Sequence, residues 1–418
     1  MASRLSTHMT KSLEGLLSRL AAVTQPRESS ADLVDLSSAE NLLVRDQVRE
    51  ICINAVQDHL TTDALSQLPS FGGDVDTRTA LASFFSGYFR PASTVSFDQI
   101  VLTAGAGSCV EALVYSFCDE GDSVLIPGPY WFGFEPYINL RPKVNIVTAN
   151  PQSYAHHATD LLATLRATYA ATENPQRIKA VILCNPHNPF SQCYPENILR
   201  SCMSFCQEFN LHFISDELYA LAEINPTKEQ RSKFVSALSL ASDPNDHDGL
   251  IDPSLVHVVW SASKLFGLSG FRIGCLVSQA NPRVRAAVSL LTYSNTSSLS
   301  AIALKALLSS LDLSSLINVS SQRLTDSYSR FVELFEERGI DYLPANSGLF
   351  VFAKLGKKAT NAEEEAIFFE KLKFGGVMVS PGRFYIGLST EFGWARITVA
   401  VPLEIVEVAL ERLKRCLE

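Results

Sequence analysis

The residues best placed to do chemistry in this chain gather around one lysine. Lys264 stands in Ser261-Ala262-Ser263-Lys264-Leu265-Phe266-Gly267-Leu268-Ser269-Gly270-Phe271-Arg272-Ile273-Gly274, directly after the apolar run Val256 to Trp260 and eight positions before an arginine. A lysine forms an imine with an aldehyde only while part of its amine is uncharged and its reach is set, and burial at the end of a core strand supplies both conditions. Arg272 is then in place to clamp a phosphate. A solvated lysine in a Ser/Gly loop is the ordinary alternative, and it loses ground because three other segments supply the remaining parts of one site.

The first is Ser215-Asp216-Glu217-Leu218-Tyr219, which closes the apolar run Leu211 to Ile214. A carboxylate at the C-terminal end of a strand, with a phenol three residues on, could hold a protonated ring nitrogen and an adjacent ring oxygen. Asp216 would keep the ring charged, and Tyr219 would face the oxygen. The second, Asn185-Pro186-His187-Asn188-Pro189, follows Val181 to Cys184. Its prolines force an extended turn that makes Asn188 a second partner of that oxygen, while His187 reads as structural.

The third segment, Ala104-Gly105-Ala106-Gly107-Ser108-Cys109-Val110, follows the strand-like Gln99 to Thr103. Its glycines let the backbone approach an anion, and a helix beginning near Ser108 would aim unpaired N–H groups and its positive end at a phosphate. A dinucleotide fingerprint is rejected, because its third glycine position is Val110. Further on, Pro127-Gly128-Pro129-Tyr130-Trp131-Phe132 offers rings that could stack on a flat heteroaromatic group, with Trp131 favoured over its neighbours and core packing as the alternative.

These parts have to be carried by a sheet. Short apolar runs alternate with helix-length segments from about residue 95 to 280, the pattern of a largely parallel sheet with helices on both faces. Sites in such sheets form beyond the strand C-termini. Residues 104–107, 185–189, 216–219 and 261–264 all fall there. Asn225 to Asp252 reads as an exposed polar insertion. A helical region follows from about 281 to 338, and a smaller unit begins near Ile340. Its last element, with Leu403, Val406, Leu410 and Leu413 at helical spacing, reads as an amphipathic helix packed on that unit.

In this order, the set resembles the class I/II aminotransferase superfamily of pyridoxal-phosphate enzymes, with Lys264 on an S-x-S-K-x-x-G-x-x-G-x-R-x-G motif. The likeness covers nearly the whole chain and is strongest toward the 1-aminocyclopropane-1-carboxylate synthase branch. Leu36-Ser37-Ser38-Ala39-Glu40-Asn41 is similar to that branch's L-x-x-A-E-N entry segment, and Val256 to Ser261 to its strand before the lysine. Asn346 to Phe350, Ser380-Pro381-Gly382 and Gly393-Trp394-Ala395-Arg396-Ile397 match as well.

The resemblance implies an α/β fold, with a large pyridoxal-phosphate domain over 51–300, a smaller α+β domain with its linking helix over 301–418, and an N-terminal arm, 1–50, joining the smaller domain. It implies that Arg272, Ser261 and Ser263 hold the phosphate together with the backbone near Ala106 and Gly107. Arg396 then binds the substrate α-carboxylate as a bidentate fork, which suits a planar guanidinium better than an ammonium. Glu40 is placed on the substrate side, and the protein is expected to be a homodimer with its site at the subunit boundary.

Two departures lie around the pocket. Where the family carries a tyrosine donated across the dimer to the partner's phosphate, this chain has Phe71-Gly72-Gly73. Where aminotransferases continue the asparagine-proline with threonine-glycine, it has Phe190-Ser191. Both touch the expected reaction more than the cofactor.

Composition agrees. A chain of 418 residues, 46% hydrophobic, can bury a large core. Its net charge of −9 and pI near 5.5, with no basic stripe, argue against a nucleic-acid partner. Nine cysteines without a C-x-x-C pair point to a reducing, cytoplasmic setting. Cys202 and Cys206 share a helix face and suit core packing better than a metal. There is no apolar run of about eighteen residues and no hydrophobic leader in Met1 to Ser18, so neither a membrane span nor a secretory signal is expected.

The expected enzyme acts at Cα of an amino acid or amino-acid conjugate and cleaves a carbon–sulfur bond, because the most similar branch eliminates sulfur. Transamination is the alternative. A non-catalytic cofactor-binding regulator on the same fold is the distant third, disfavoured by the presence of Lys264 and by a first fifty residues without a basic DNA-binding segment.

Overall fold

The computed structural model describes residues 5–14, 33–66, 71–225, 233–241, 251–388 and 390–417. At its centre is a sheet of seven strands: β1 (Ile100–Thr103), β2 (Ser123–Pro127), β3 (Asn145–Ala149), β4 (Ile178–Cys184), β5 (His212–Asp216), β6 (Val256–Ser261) and β7 (Gly274–Val277). Their spatial order is β1-β7-β6-β5-β4-β2-β3, with every neighbouring pair parallel except the two that involve β7. All six residues of β6 and all four of β1 are buried, as expected for a sheet covered on both faces, where the side chains of each strand meet apolar neighbours above and below.

Register brings the polar ends together. Cys184 of β4 lies opposite Asp216 of β5, and Asp216 lies opposite Val259 of β6. The residues that follow these strands therefore emerge side by side along one edge. The helix Ala106–Phe117 leaves the same edge after β1, starting two residues before the expected Ser108.

A second sheet of four antiparallel strands holds β8 (Tyr342–Leu343), β9 (Phe350–Ala353), β10 (Ser380–Pro381) and β11 (Ala395–Thr398), in the order β8-β9-β11-β10. Its core includes Phe350, Val351, Ile397 and Val399, with Leu334 and Phe335 from the helix Leu313–Arg338. Two short pairings reach beyond these sheets. Val34–Asp35 runs parallel to Val377–Met378, and Tyr130–Trp131 runs antiparallel to Tyr385–Ile386.

Two expectations about surface and core are corrected. Within the stretch 225–252, residues 226–232 and 242–250 lie outside the described residues, but Ser236 to Ala241 is not exposed. It forms a turn of helix, Ala237–Leu240, whose Ala237 and Leu238 are buried. The cause is Glu217, whose buried carboxylate accepts from Ser236 Oγ at 2.6 Å, Ala237 N at 2.7 Å and Ser215 Oγ at 2.9 Å. Desolvating a carboxylate is costly unless donors surround it, so this polar segment is drawn inward. On the closing helix Leu403–Cys416, Val406, Leu410 and Leu413 are buried as expected, whereas Leu403 is 45% exposed, because it opens the helix directly after Pro402.

Candidate active site

Beyond the strand ends lies a cavity of about 410 Å³, walled on one side by the start of the helix Ala106–Phe117. Lys264 enters from the short helix Ala262–Leu265 that follows β6. Its Nζ donates to the carbonyl of Ala39 at 2.5 Å. Burial brings the ammonium down to about 8, against weaker opposing pulls from the carboxylates of Glu40 and Asp216, while Arg396 and Arg272 push it further down. An uncharged amine is thus within reach near neutrality, as attack on an aldehyde requires.

Asp216 ends β5 and is 5% exposed. Burial raises its carboxyl to about 7, partly offset by the backbone N–H of Leu218, which donates to it at 3.2 Å, and by the charge of Lys264. An opposite charge placed against it, such as a protonated ring nitrogen, would restore the carboxylate. Tyr219 is buried three residues on, and burial keeps its phenol protonated although the charge of Arg396 acts the other way. Asn188, Asp216, Tyr219 and Lys264 all line the cavity, as do Ala106, Gly107, Trp131, Ser263 and Arg272.

The end expected to take the phosphate is equally specific. Gly105 has φ 88°, and a Cβ there would stand 2.6 Å from Nη2 of Arg272. Only glycine lets the loop come this close. Arg272 is itself left-handed at φ 51°, its guanidinium donating from Nη1 to Ser269 O at 2.8 Å and from Nη2 to Ala104 O at 3.0 Å. Such backbone is rare outside glycine and collects at functional sites. The helix Ala106–Phe117 has no side-chain cap, so its first N–H groups are open to an anion. Ser261 lies behind the wall, sharing a 2.7 Å hydrogen bond with Ser263 and donating to Ile273 O at 2.9 Å, which fixes the turn that carries Lys264.

Arg396 comes from the other sheet, on β11. Its Nη1 donates to Asn188 Oδ1 at 3.0 Å and its Nη2 to Ser37 O at 2.6 Å. The guanidinium lies 4.0 Å over the ring of Phe350, and its buried Nε has no partner among the described residues. Arg396 is not among the residues that line the cavity; it stands behind Asn188, which is, with a spare donor at Nε. Glu40 is placed less directly. Its carboxylate pairs with the half-exposed Arg45 at 2.7 Å rather than lining the cavity, although its field reaches Lys264.

His187, read from the sequence as structural, is part of the cavity wall. Burial holds its imidazole neutral, helped by neighbouring His157, and the ring stacks on Phe190 at 4.5 Å. Phe190, which stands where the resemblance led to an expected threonine, is fully buried among Tyr154, Phe352 and Trp394. Phe71 stands away from the cavity and is 52% exposed. The sequence reading missed Tyr137, Tyr194 and Ser269, which also line the cavity. For Tyr137 the signal was its place on the helix directly after the aromatic run 130–132.

These residues fit a flat, phosphate-bearing aldehyde: a lysine with a depressed pKa, a buried carboxylate for a ring nitrogen, and an uncapped helix end beside an arginine. The fold is that of solved pyridoxal-phosphate enzymes. A single-mutant aspartate aminotransferase of Thermus thermophilus superposes with a TM-score of 0.79 at 21% identity, covering 99% of this chain and 100% of that one. An aromatic aminotransferase of Pyrococcus horikoshii gives 0.76 at 20%, over 96% of this chain and 98% of the other.

The family described as aminotransferase class I and II matches residues 31–413. The chain is similar to the probable aminotransferase aclI of Aspergillus oryzae, 36% identical over 100% of this chain and 98% of that protein. It is likewise similar to the probable aminotransferase sirI of Leptosphaeria maculans, at 37% over 94% and 93%. A 1-aminocyclopropane-1-carboxylate synthase of Glycine max is 28% identical over 93% of this chain and 81% of its own length. The chain belongs to the class I and II aminotransferases, and its cofactor is pyridoxal phosphate.

Proposed function

We propose that this enzyme cleaves a carbon–sulfur bond in an S-substituted amino acid or amino-acid conjugate. Bound pyridoxal phosphate supplies the aldehyde that captures the substrate amine and a protonated ring that withdraws electrons from Cα. Arg396 holds the α-carboxylate and so turns the Cα–H bond toward Lys264. The lysine amine takes that proton as general base. Asp216 keeps the ring nitrogen protonated, and Tyr219 with Asn188 holds the ring oxygen. If a sulfur substituent sits on the β- or γ-carbon, it can leave as a thiolate.

The observation that carries the reading is the cavity wall. Beside the reacting end it presents Trp131, Phe134, Tyr194 and Pro129, and its only cations among the described lining residues are Lys264 and Arg272. Within this lining both are assigned to the lysine and phosphate positions, and Arg396, which is not among the lining residues, to the α-carboxylate. Aromatic edges suit a polarizable thioether. The likeness to 1-aminocyclopropane-1-carboxylate synthase supports the same reading.

The names of aclI and sirI favour transamination as the second reading. It requires Lys264 to hand its proton on to the cofactor carbon instead of a thiolate leaving. The two are separated by incubating the holoenzyme with S-substituted amino acids in the absence of any 2-oxo acid. Mass spectrometry is expected to find free thiol, a 2-oxo acid and ammonia in continuing turnover. Product formation that stops after one equivalent and resumes only on addition of a 2-oxo acid would establish transamination instead.

We also propose a homodimer in a reducing, cytoplasmic setting. Ile53 and Phe271 are exposed around an apolar groove that also includes Val48, Val56 and Leu268, and the nine cysteines are all free thiols. Light scattering at working concentration should give twice the chain mass. A fully active monomer would remove the proposal.

A further inference from the structure

We propose that the phenol of Tyr137 is a phosphate ligand of the bound cofactor, supplied from within the same chain. The inference rests on the cofactor and not on which substrate bond is broken. Tyr137 lies on the short helix Phe134–Asn139, and its ring reaches the first turn of the helix Ala106–Phe117. A Cβ built on Gly107 would fall 2.2 Å from Tyr137 Cζ and 2.6 Å from its Oη. The tip of the phenol therefore rests on the backbone at the second position of the helix, where the N–H groups are uncapped. Any larger residue at 107 would push the ring away.

Two further observations turn this contact into a ligand position. Tyr137 lines the cavity together with Ala106, Gly107, Ser263 and Arg272, and its Oη lies against Gly107 in the first turn of the helix Ala106–Phe117. It makes no hydrogen bond to another described residue, and its ring is only partly buried, leaving the O–H free to turn toward an anion. A hydroxyl donating to a charged phosphate oxygen makes a short, charge-assisted bond, stronger than one between neutral groups.

The test uses the full-length protein stripped of cofactor, titrated with pyridoxal phosphate and, separately, with pyridoxal, which lacks the phosphate. Binding is read from quenching of tryptophan fluorescence, which requires no turnover. Tyr137→Phe keeps the ring on Gly107 and removes only the donor. It is expected to weaken pyridoxal phosphate about tenfold while leaving pyridoxal unchanged. Inorganic phosphate should likewise compete about tenfold less well against pyridoxal phosphate in the variant, once corrected for the altered affinity. Equal losses for both aldehydes would mean that Tyr137 acts by packing, and unchanged affinity for both would mean that it does not contact the phosphate; either result overturns the proposal. Gly107→Ala, which displaces the ring, should reproduce the loss specific to the phosphate, and a Gly107→Ala protein with parent affinity would count equally against it.

Discussion

Replacing Lys264 with alanine is expected to lower turnover by about a thousandfold or more, within the range for loss of a positioned general base. The variant should also fail to retain pyridoxal phosphate covalently after borohydride reduction, which intact mass spectrometry reads directly. The parent carries its own signature in pH. Since burial brings the amine to about 8 from 10.5, the uncharged form gains ground as pH rises through about 8. Attachment of the cofactor to stripped protein should therefore accelerate up to that region and level off above it. A rate that kept climbing toward pH 10 would place Lys264 in water. Parent-like turnover by Lys264→Ala would remove it from catalysis altogether.

The second large effect is expected at Arg396. Breaking a desolvated guanidinium–carboxylate pair leaves one charge unpaired, at roughly 2–5 kcal/mol. Arg396→Lys should thus reduce kcat/KM about thirtyfold or more for substrates with a free α-carboxylate, since each 1.4 kcal/mol is about a factor of ten. The guanidinium also bonds Asn188 and Ser37 and lies over Phe350, so part of any loss could come from a disturbed wall. An amide of the same substrate separates the two causes. It should react poorly with the parent and lose little more in the variant, whereas equal losses for acid and amide would show that Arg396 acts by holding Asn188 and Phe350 in place and not as the clamp.

Much of this site was legible because each chemical residue closes an apolar run. Asp216 ends β5, Ser261 ends β6 with Lys264 three residues on, and Asn188 follows β4. A strand buried on both faces announces itself as continuous hydrophobicity, and where it stops, polar side chains must face the open edge. Contacts across long separations had no such signal. The hydrogen bond from Arg396 to Asn188 spans 208 positions, and that from Lys264 to Ala39 spans 225. Neither follows from local pattern. Ser236 to Ala241 was misread because its polarity looks like solvent exposure until the buried carboxylate of Glu217 is known. Tyr137 went unnoticed for a similar reason, since what singles it out is the space left by Gly107.

The antiparallel pairing of Tyr130–Trp131 with Tyr385–Ile386 joins the strand region that offers the stacking ring to the part of the chain that also carries Arg396. Trp131 is thereby tied to the segment that leads into β11 and Arg396 by backbone hydrogen bonds, which are indifferent to side-chain identity. The joint is braced on its far side: Tyr385 is buried and donates to Ser380 Oγ, and Trp394 stacks on Phe352, so the arm that leads to Arg396 is held in step with the ring beside the cavity.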